Sequence, residues 1–276
     1  MIHLTIFWSI FKKFYIRPIH HDSTNNIELK QVNFICYNQD NRDGIVHVME
    51  GFLPLQWCFV WWVVALPALM LGLHQLKKIL AADREALPLL GVTGGFIFIL
   101  SSLKLPSVTG SCSHPTGTGL STISFGPSIT SVICAIVLLF QSLFLAHGGL
   151  SVLGANIVSM GIVGPVVGYA VYRMLRNTSV NMYLTVFLVT AIADMSTYAT
   201  TSLELALAYP AETGGFVSSL VLFMGIFAIT QIPLAIVEGL VLALVFKYIV
   251  ALKPDILIRL KIFSEDKINA ARDGAS

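Results

Sequence analysis

The sequence predicts an all-α integral membrane protein with about seven transmembrane helices. Hydrophobic residues make up 55% of the 276-residue chain, only 12% are charged, and the mean hydropathy is +0.79. An ordinary soluble domain carries about 25% charged residues. From residue 57 onwards, apolar runs close to the roughly 20 residues needed to cross a bilayer alternate with short polar breaks. The runs must be helical, because an open sheet in lipid leaves backbone groups unpaired.

The apolar runs place the spans and leave one ambiguity. Pro233 cannot donate a backbone hydrogen bond, so it either separates the last two spans or kinks one long helix. The count is therefore seven spans, or six. The predicted spans cover residues 57–74, 86–103, 126–146, 150–172, 182–203, 216–231 and 233–250.

The basic residues predict the orientation, since cytoplasmic loops carry an excess of Lys and Arg. They follow the first span and the last one, so seven spans put both groups in the cytoplasm and residue 46 outside. Arg173 and Arg176 oppose this prediction, because seven spans place them outside. The residues that favour it are Lys77, Lys78, Arg84, Lys247, Lys253, Arg259 and Lys261.

One long stretch contains no charge. From Leu105 to Tyr172 there is no Asp, Glu, Lys or Arg. This interval includes residues 106–125, which are rich in Gly, Ser and Thr and which we expect to form a re-entrant loop at the outer face. Irregular backbone is tolerated at membrane depth where protein surrounds it. His114 would then lie in a sheltered pocket.

Four motifs together resemble one transporter family. They read VHVMEGFLP at 46–54, SSLKLPSVTGSCSHPTGTGL at 101–120, HGGL with GAN at 147–156, and PLAIVEG at 233–239. The chain resembles the CbiM family over residues 46 to about 260. CbiM proteins are the substrate-capture components of energy-coupling-factor cobalt transporters, which serve cobalamin biosynthesis; the NikM proteins are their nickel relatives.

The resemblance implies a metal site made of nitrogen atoms. Val46 stands where the family has its initiator methionine, and a GUG codon is read as methionine at a start. The amine of residue 46, the amide nitrogen and Nδ1 of His47, and the imidazole of His114 would then hold one cation. Four nitrogens in a plane suit Co²⁺ or Ni²⁺, whereas Mg²⁺ and Ca²⁺ require oxygen ligands.

The same reasoning divides the chain into three parts. Residues 1–45 hold nine of the 32 charged residues, and their apolar opening is too short to span a membrane. They also lack the features of a signal peptide. We expect residues 1–45 to be translated upstream sequence that is absent from the mature protein or, alternatively, an extension on the membrane surface. Residues 46–253 form the transmembrane metal-capture domain, and 254–276 a charged cytoplasmic tail.

Several other residues receive roles as expectations. Asn156 and Ser113 are candidates for orienting a metal-binding imidazole, which such sites usually need. Asp194 and Glu238 lie within apolar spans, where carboxyl groups face the bundle interior, and we expect them to act as polar clasps between helices. His147 should lie at the opposite, cytoplasmic end and serve a structural or interface role.

The chain contains no GxxxxGK[ST] phosphate loop, so it is expected to be a transport subunit without ATPase activity of its own. The resemblance implies a CbiQ-like coupling subunit, CbiO-like ATPase subunits and a small CbiN-like membrane subunit in the plasma membrane. Small residues in the first span, Ala65, Ala68 and Gly72, are candidates for docking them. The alternatives are a nickel-specific subunit, a stand-alone secondary permease and, last, a membrane metalloenzyme.

Overall fold

The computed structural model describes residues 48, 50–84, 86–103, 105–106, 112–145 and 147–273. The predicted segment 1–45, Val46 and His47 lie outside the described residues. The helices in chain order are α1 (Leu55–Ala82), α2 (Ala86–Ser101), α3 (Thr118–Phe125), α4 (Pro127–Phe144), α5 (Leu153–Asn156), a π-helical segment (Ile157–Val163), α6 (Gly164–Leu175), α7 (Met182–Ala208), α8 (Gly215–Leu252), α9 (Pro254–Arg259) and α10 (Glu265–Asp273). Strands β1 (Leu105–Pro106) and β2 (Cys112–Ser113) pair antiparallel ahead of α3.

The predicted all-α membrane fold is confirmed, with a different arrangement of spans. In the described part of the chain, five helical stretches are long and apolar enough to cross a membrane, and α2 is a shorter apolar helix. Pro233 does not separate two spans, because α8 continues through it for 38 residues. A helix of that length measures about 57 Å and cannot reverse direction, so it crosses once. Of the two alternatives predicted at Pro233, the structure has the single long helix and not the division into two spans.

The seventh segment is the short helix α3, which lies where the sequence predicts only a loop. Its residues Thr118 to Ile123 are buried in the bundle. Gly126, with φ of +82°, ends α3, and Pro127 occupies the first turn of α4. A glycine tolerates this left-handed backbone, and proline suits a first helical turn. The chain thus enters the bundle along α3 and leaves it along α4.

Basic residues gather at one end of the bundle. Asp83, after α1, forms an ion pair of 3.4 Å with Arg259 in α9. Arg176, after α6, donates to the carbonyl of Lys261 at 3.2 Å. We call this the basic end. It contains Arg173 and Arg176 as well as the C-terminal basic residues. Arg173 and Arg176 therefore lie on the same side as the other basic residues and do not oppose the predicted orientation.

The segment after residue 253 packs onto the basic end. Leu257 and Ile268, in α9 and α10, are buried in a core cluster with Phe246 of α8. The Tyr172 hydroxyl donates to the carbonyl of Ile262. Residues 254–273 are therefore part of the folded bundle, where the sequence predicted a separate tail.

Two of the predicted docking residues are used inside the chain. Ala65 is fully buried. At Gly72, a Cβ would lie 2.6 Å from a Val132 methyl group, because α1 and α4 approach closely there. Ala68 remains half-buried. The small residues of α1 thus permit packing of α1 within this chain, and Ala65 and Gly72 do not offer a face to another subunit.

Candidate metal centre

His114 lies in the short loop between β2 and α3, in the half of the bundle away from the basic end. Its side chain is only 2% exposed. The Nδ1 atom lies 2.9 Å from the carbonyl oxygen of Pro115. A carbonyl can only accept a hydrogen bond, so Nδ1 carries the proton and the lone pair resides on Nε2. A histidine whose second nitrogen donates to a carbonyl is oriented in the way that metal-binding imidazoles usually are.

Glu238 of α8 binds the loop that carries His114. Its carboxylate accepts hydrogen bonds from the backbone nitrogens of Thr116 and Gly117, at 2.6 and 2.9 Å, and from the Thr116 hydroxyl at 3.0 Å. Three donors converging on one buried carboxylate satisfy a group that is otherwise costly inside a membrane protein. Glu238 therefore fixes the loop that carries His114, a role more specific than the predicted clasp between helices.

Two further contacts hold the loop in place. The Tyr198 hydroxyl donates to the carbonyl of His114 at 2.9 Å. The Ser113 hydroxyl lies 2.8 Å from that of Thr230, which joins β2 to α8. Ser113 thus contacts α8, the carbonyl of Pro115 orients the His114 ring, and the role of Ser113 in orienting a metal-binding imidazole stays a prediction.

Asp194 has the clasping role that the sequence predicts. Its Oδ2 accepts a hydrogen bond of 2.7 Å from the Gln231 amide. Asp194 belongs to α7 and Gln231 to α8, both buried. The bond joins α7 to α8 close to the loop that Glu238 holds.

Asn156 binds the backbone that immediately follows His47. Its Oδ1 accepts from the Val48 nitrogen and its Nδ2 donates to the Val48 oxygen, each at 3.2 Å. An amide side chain that pairs with both groups of one residue imitates a neighbouring strand. Asn156 therefore fixes the path of the N-terminal segment next to position 47.

The segment from His147 to Asn156 makes further contacts with the N-terminal segment. The Ser151 nitrogen donates to the Glu50 carboxylate at 3.1 Å. At Gly149, a Cβ would lie 2.6 Å from the Glu50 nitrogen, so only glycine permits this approach of two backbones. The Tyr209 hydroxyl donates to the carbonyl of Phe52, and burial raises the pKa of Tyr209.

His147 lies beside His114, and the prediction that it lies at the opposite end is wrong. The two ring centroids are 5.2 Å apart with an angle of 66° between the planes, and His147 is 4% exposed. The cause is the helix α3. Because α3 runs into the bundle from the loop that carries His114, α4 runs back in the opposite direction and brings His147 to the same end as His114. The Gly126-Pro127 pair was the sequence signal for this turn. We call the end that contains His114, His147 and Asn156 the histidine end.

The histidine end brings together two imidazoles and the anchored start of the N-terminal segment. Among the described residues, no three His, Cys, Asp or Glu side chains gather as a metal-binding group. Val46 and His47, which the sequence predicts as ligands, belong to the segment ahead of Val48 and lie outside the described residues. Imidazole nitrogens suit late first-row transition metals.

Comparison with known proteins gives one family. Residues 47–256 match the CbiM family, described as cobalt uptake substrate-specific transmembrane region. The chain is 66% identical over 227 residues to the putative cobalt transport protein CbiM 2 of Methanosphaerula palustris, covering 82% of this chain and 97% of that protein. It is 55% identical over 204 residues to the cobalt transport protein CbiM of Chlorobium limicola, covering 74% of this chain and 80% of that one.

Solved structures give the same fold. A crystal structure of a transition metal transporter superposes with a TM-score of 0.65 at 26% identity, covering 74% of this chain and 92% of that chain. A truncated transition metal transporter superposes with a TM-score of 0.64 at 25% identity, covering 74% of this chain and 98% of that chain.

Proposed function

The chain belongs to the CbiM family of cobalt uptake transmembrane proteins, and we propose on that premise that it captures Co²⁺ at the outer face of the plasma membrane for an ATP-driven energy-coupling-factor importer. One observation carries the proposal. The lone pair of His114 lies on Nε2 in a buried pocket, and the residue after His47 is anchored at the same end by Asn156.

The proposed site uses nitrogen donors from two segments of the chain. His114 supplies one imidazole from the loop held by Glu238. The N-terminal segment supplies the imidazole and amide nitrogen of His47, together with the amine of residue 46 where the chain begins there with methionine. Nitrogen donors of this kind suit Co²⁺ and Ni²⁺, and the cobalt transport proteins among the relatives favour Co²⁺.

Release of the ion is built into this arrangement. The N-terminal segment is attached through four hydrogen bonds, two with Asn156 and one each from Ser151 and Tyr209, and through the burial of Val48 and Leu53. The His114 loop is attached separately, through three hydrogen bonds to Glu238 within the bundle. Displacing the N-terminal segment therefore removes several donors at once while the bundle stays folded. The energy for that step comes from partner subunits, since the chain has no phosphate-binding loop. We propose CbiQ-like, CbiO-like and CbiN-like subunits for those roles.

The test is reconstitution into lipid vesicles. The purified chain alone should bind Co²⁺ but not accumulate it against a gradient, with or without ATP. Together with the coupling and ATPase subunits it should accumulate radioactive Co²⁺ when ATP is present, and the His114→Ala chain in the same complex should not. Concentrative uptake by the isolated chain would contradict the proposal and favour a secondary permease.

A further inference from the structure

Two carboxyl groups, from Asp194 of α7 and Glu238 of α8, contact each other inside the bundle. Asp194 is fully buried and Glu238 is 2% exposed, and the two side chains lie within hydrogen-bonding contact. Among the described residues, no Lys or Arg forms an ion pair with either group. Two carboxylates in contact would place two negative charges together without a cation, which is costly inside a membrane protein. The contact therefore requires a neutralising group.

The Glu238 carboxyl accepts hydrogen bonds at both of its oxygens. Oε2 accepts from the Thr116 nitrogen at 2.6 Å, and Oε1 accepts from the Gly117 nitrogen at 2.9 Å and from the Thr116 hydroxyl at 3.0 Å. A backbone nitrogen can only donate, so a proton on either oxygen would compete with a donor that is already there. Glu238 is therefore suited to accept a hydrogen bond from Asp194 and not to donate one.

The Asp194 carboxyl has one oxygen with a donor and one without. Oδ2 accepts a hydrogen bond of 2.7 Å from the Gln231 amide. Oδ1 is buried and has no donor among the residues that the structure describes. Buried polar atoms normally have a hydrogen-bond partner. A hydrogen on Oδ1 would give this atom a partner, because it could then donate to the neighbouring Glu238 carboxylate.

We propose that Asp194 and Glu238 form a proton-binding site, in which one proton on Oδ1 of Asp194 donates a hydrogen bond to the Glu238 carboxylate. The pair then carries a single negative charge, which three donors of the His114 loop also stabilise. A hydrogen bond from an acid to a carboxylate is about twice as strong as one between neutral groups. Asp194 is a positioning residue in this arrangement, because it acts on the loop through Glu238.

Infrared spectroscopy of the full chain in lipid vesicles at neutral pH detects the proton directly. A protonated carboxylic acid has a carbonyl-stretch band that a carboxylate lacks. Asp194 is the only buried aspartate among the described residues. Labelling aspartate with ¹³C in the side-chain carboxyl should therefore shift this band, and Asp194→Asn should remove it. A spectrum with no band that responds to the label and to Asp194→Asn would overturn the inference.

Glu204→Gln is the control for the spectra. Glu204 is the other buried carboxyl of α7, and neither of its oxygens has a partner in the described part of the chain. Its replacement removes any band that Glu204 contributes. The band that responds to labelled aspartate should stay in place, and its loss in Glu204→Gln would contradict the assignment to Asp194.

Two substitutions locate the proton within the pair. Asp194→Asn keeps both bonds, since its amide oxygen can accept from Gln231 and its amide nitrogen can donate to Glu238, so the thermal unfolding midpoint should stay native. Glu238→Gln presents an amide nitrogen to the donors of Thr116 and Gly117 and should lower the midpoint by about 4 °C or more.

A native midpoint in Glu238→Gln would place the proton on Glu238 and overturn the inference. An equal loss of stability in Asp194→Asn would also overturn it, because the amide would then fail to replace the acid. Neither the spectra nor the unfolding midpoints require a bound metal, so both results are independent of the proposed function.

Discussion

At the scale of single residues, the site depends on hydrogen bonds that fix where nitrogen atoms lie. The Pro115 carbonyl determines which nitrogen of His114 has a lone pair. Asn156 determines where the backbone after His47 runs. Each such bond contributes about 0.5–1.5 kcal/mol net, and a buried backbone group left without a partner costs about 1–3 kcal/mol. Hydrogen bonds of this strength therefore stabilise the positions of the nitrogen donors measurably.

Asn156→Leu should weaken Co²⁺ binding by about 10- to 100-fold, the usual effect of losing a group that orients a ligand. Leucine has a similar volume but leaves the nitrogen and oxygen of Val48 without their partners. Isothermal titration of detergent-purified protein measures the change.

Asn181→Ala is the control for this substitution. Asn181 caps α7 at the basic end, accepting from the nitrogens of Tyr183 and Leu184. Its loss should reduce the free energy of unfolding by about 0.5–2 kcal/mol and leave Co²⁺ affinity unchanged. Equal losses of affinity in the two variants would mean that Asn156 acts only through global stability.

The sequence motifs identify some of these residues and not their partners. His114 and Asn156 stand in motifs that resemble a known family, so they could be chosen without a structure. The three bonds from Thr116 and Gly117 to Glu238 join residues more than 120 positions apart, and no local pattern indicates such a pairing. The contact of Ser113 with Thr230 could not be predicted for the same reason.

At the scale of elements, one short helix determines which residues share an end. The eight residues of α3 are about 12 Å long, too short to be recognised as a span. If residues 106–125 formed only a loop, α4 would run in the opposite direction and His147 would lie at the opposite end. The Gly126-Pro127 break marked the turn, but its meaning depends on burial of Thr118 to Ile123, which apolar periodicity does not reveal in a Ser- and Thr-rich segment.

Close contact between the 147–156 segment and the N-terminal segment can be tested at Gly149. Gly149→Ala places a Cβ 2.6 Å from the Glu50 nitrogen and 2.7 Å from its Cα. Real Cβ atoms are not found so close to backbone, so the N-terminal segment must shift, and Co²⁺ affinity should fall by about tenfold or more. Titration with Co²⁺ measures it.

Gly95→Ala is the matched control, because nothing lies within 4 Å of a Cβ at Gly95 in α2. It should bind Co²⁺ as the native chain does, and alanine should favour its helix by about 1 kcal/mol. Native affinity in Gly149→Ala would show that the N-terminal segment does not need this approach to bind metal.

At the scale of the whole molecule, charge separates the two ends of the bundle. The basic end gathers basic residues from α1, α6 and α9, whereas the histidine end contains His114, His147 and Asn156. An excess of Lys and Arg marks the cytoplasmic side of a membrane protein. We therefore infer that the histidine end faces outward, where an importer must collect its ion.

Thiol labelling in intact cells tests this orientation. In a chain whose native cysteines are replaced by serine, a cysteine substituted at Glu212, exposed between α7 and α8, should react with a membrane-impermeant maleimide. A cysteine substituted at Lys77, exposed near the end of α1, should react only after the membrane is opened. The reverse pattern would contradict the inferred orientation.

The most direct test of the central claim is the Co²⁺ affinity of His114→Ala measured by isothermal titration beside the native chain and His74→Ala. The native chain should bind one Co²⁺ per molecule. His114→Ala should lose more than the roughly 10- to 100-fold that removal of an orienting partner costs, while its helical content stays native. His74→Ala, which removes an exposed histidine from α1, should bind as the native chain does. Native affinity in His114→Ala would contradict the claim that the histidine end captures the metal.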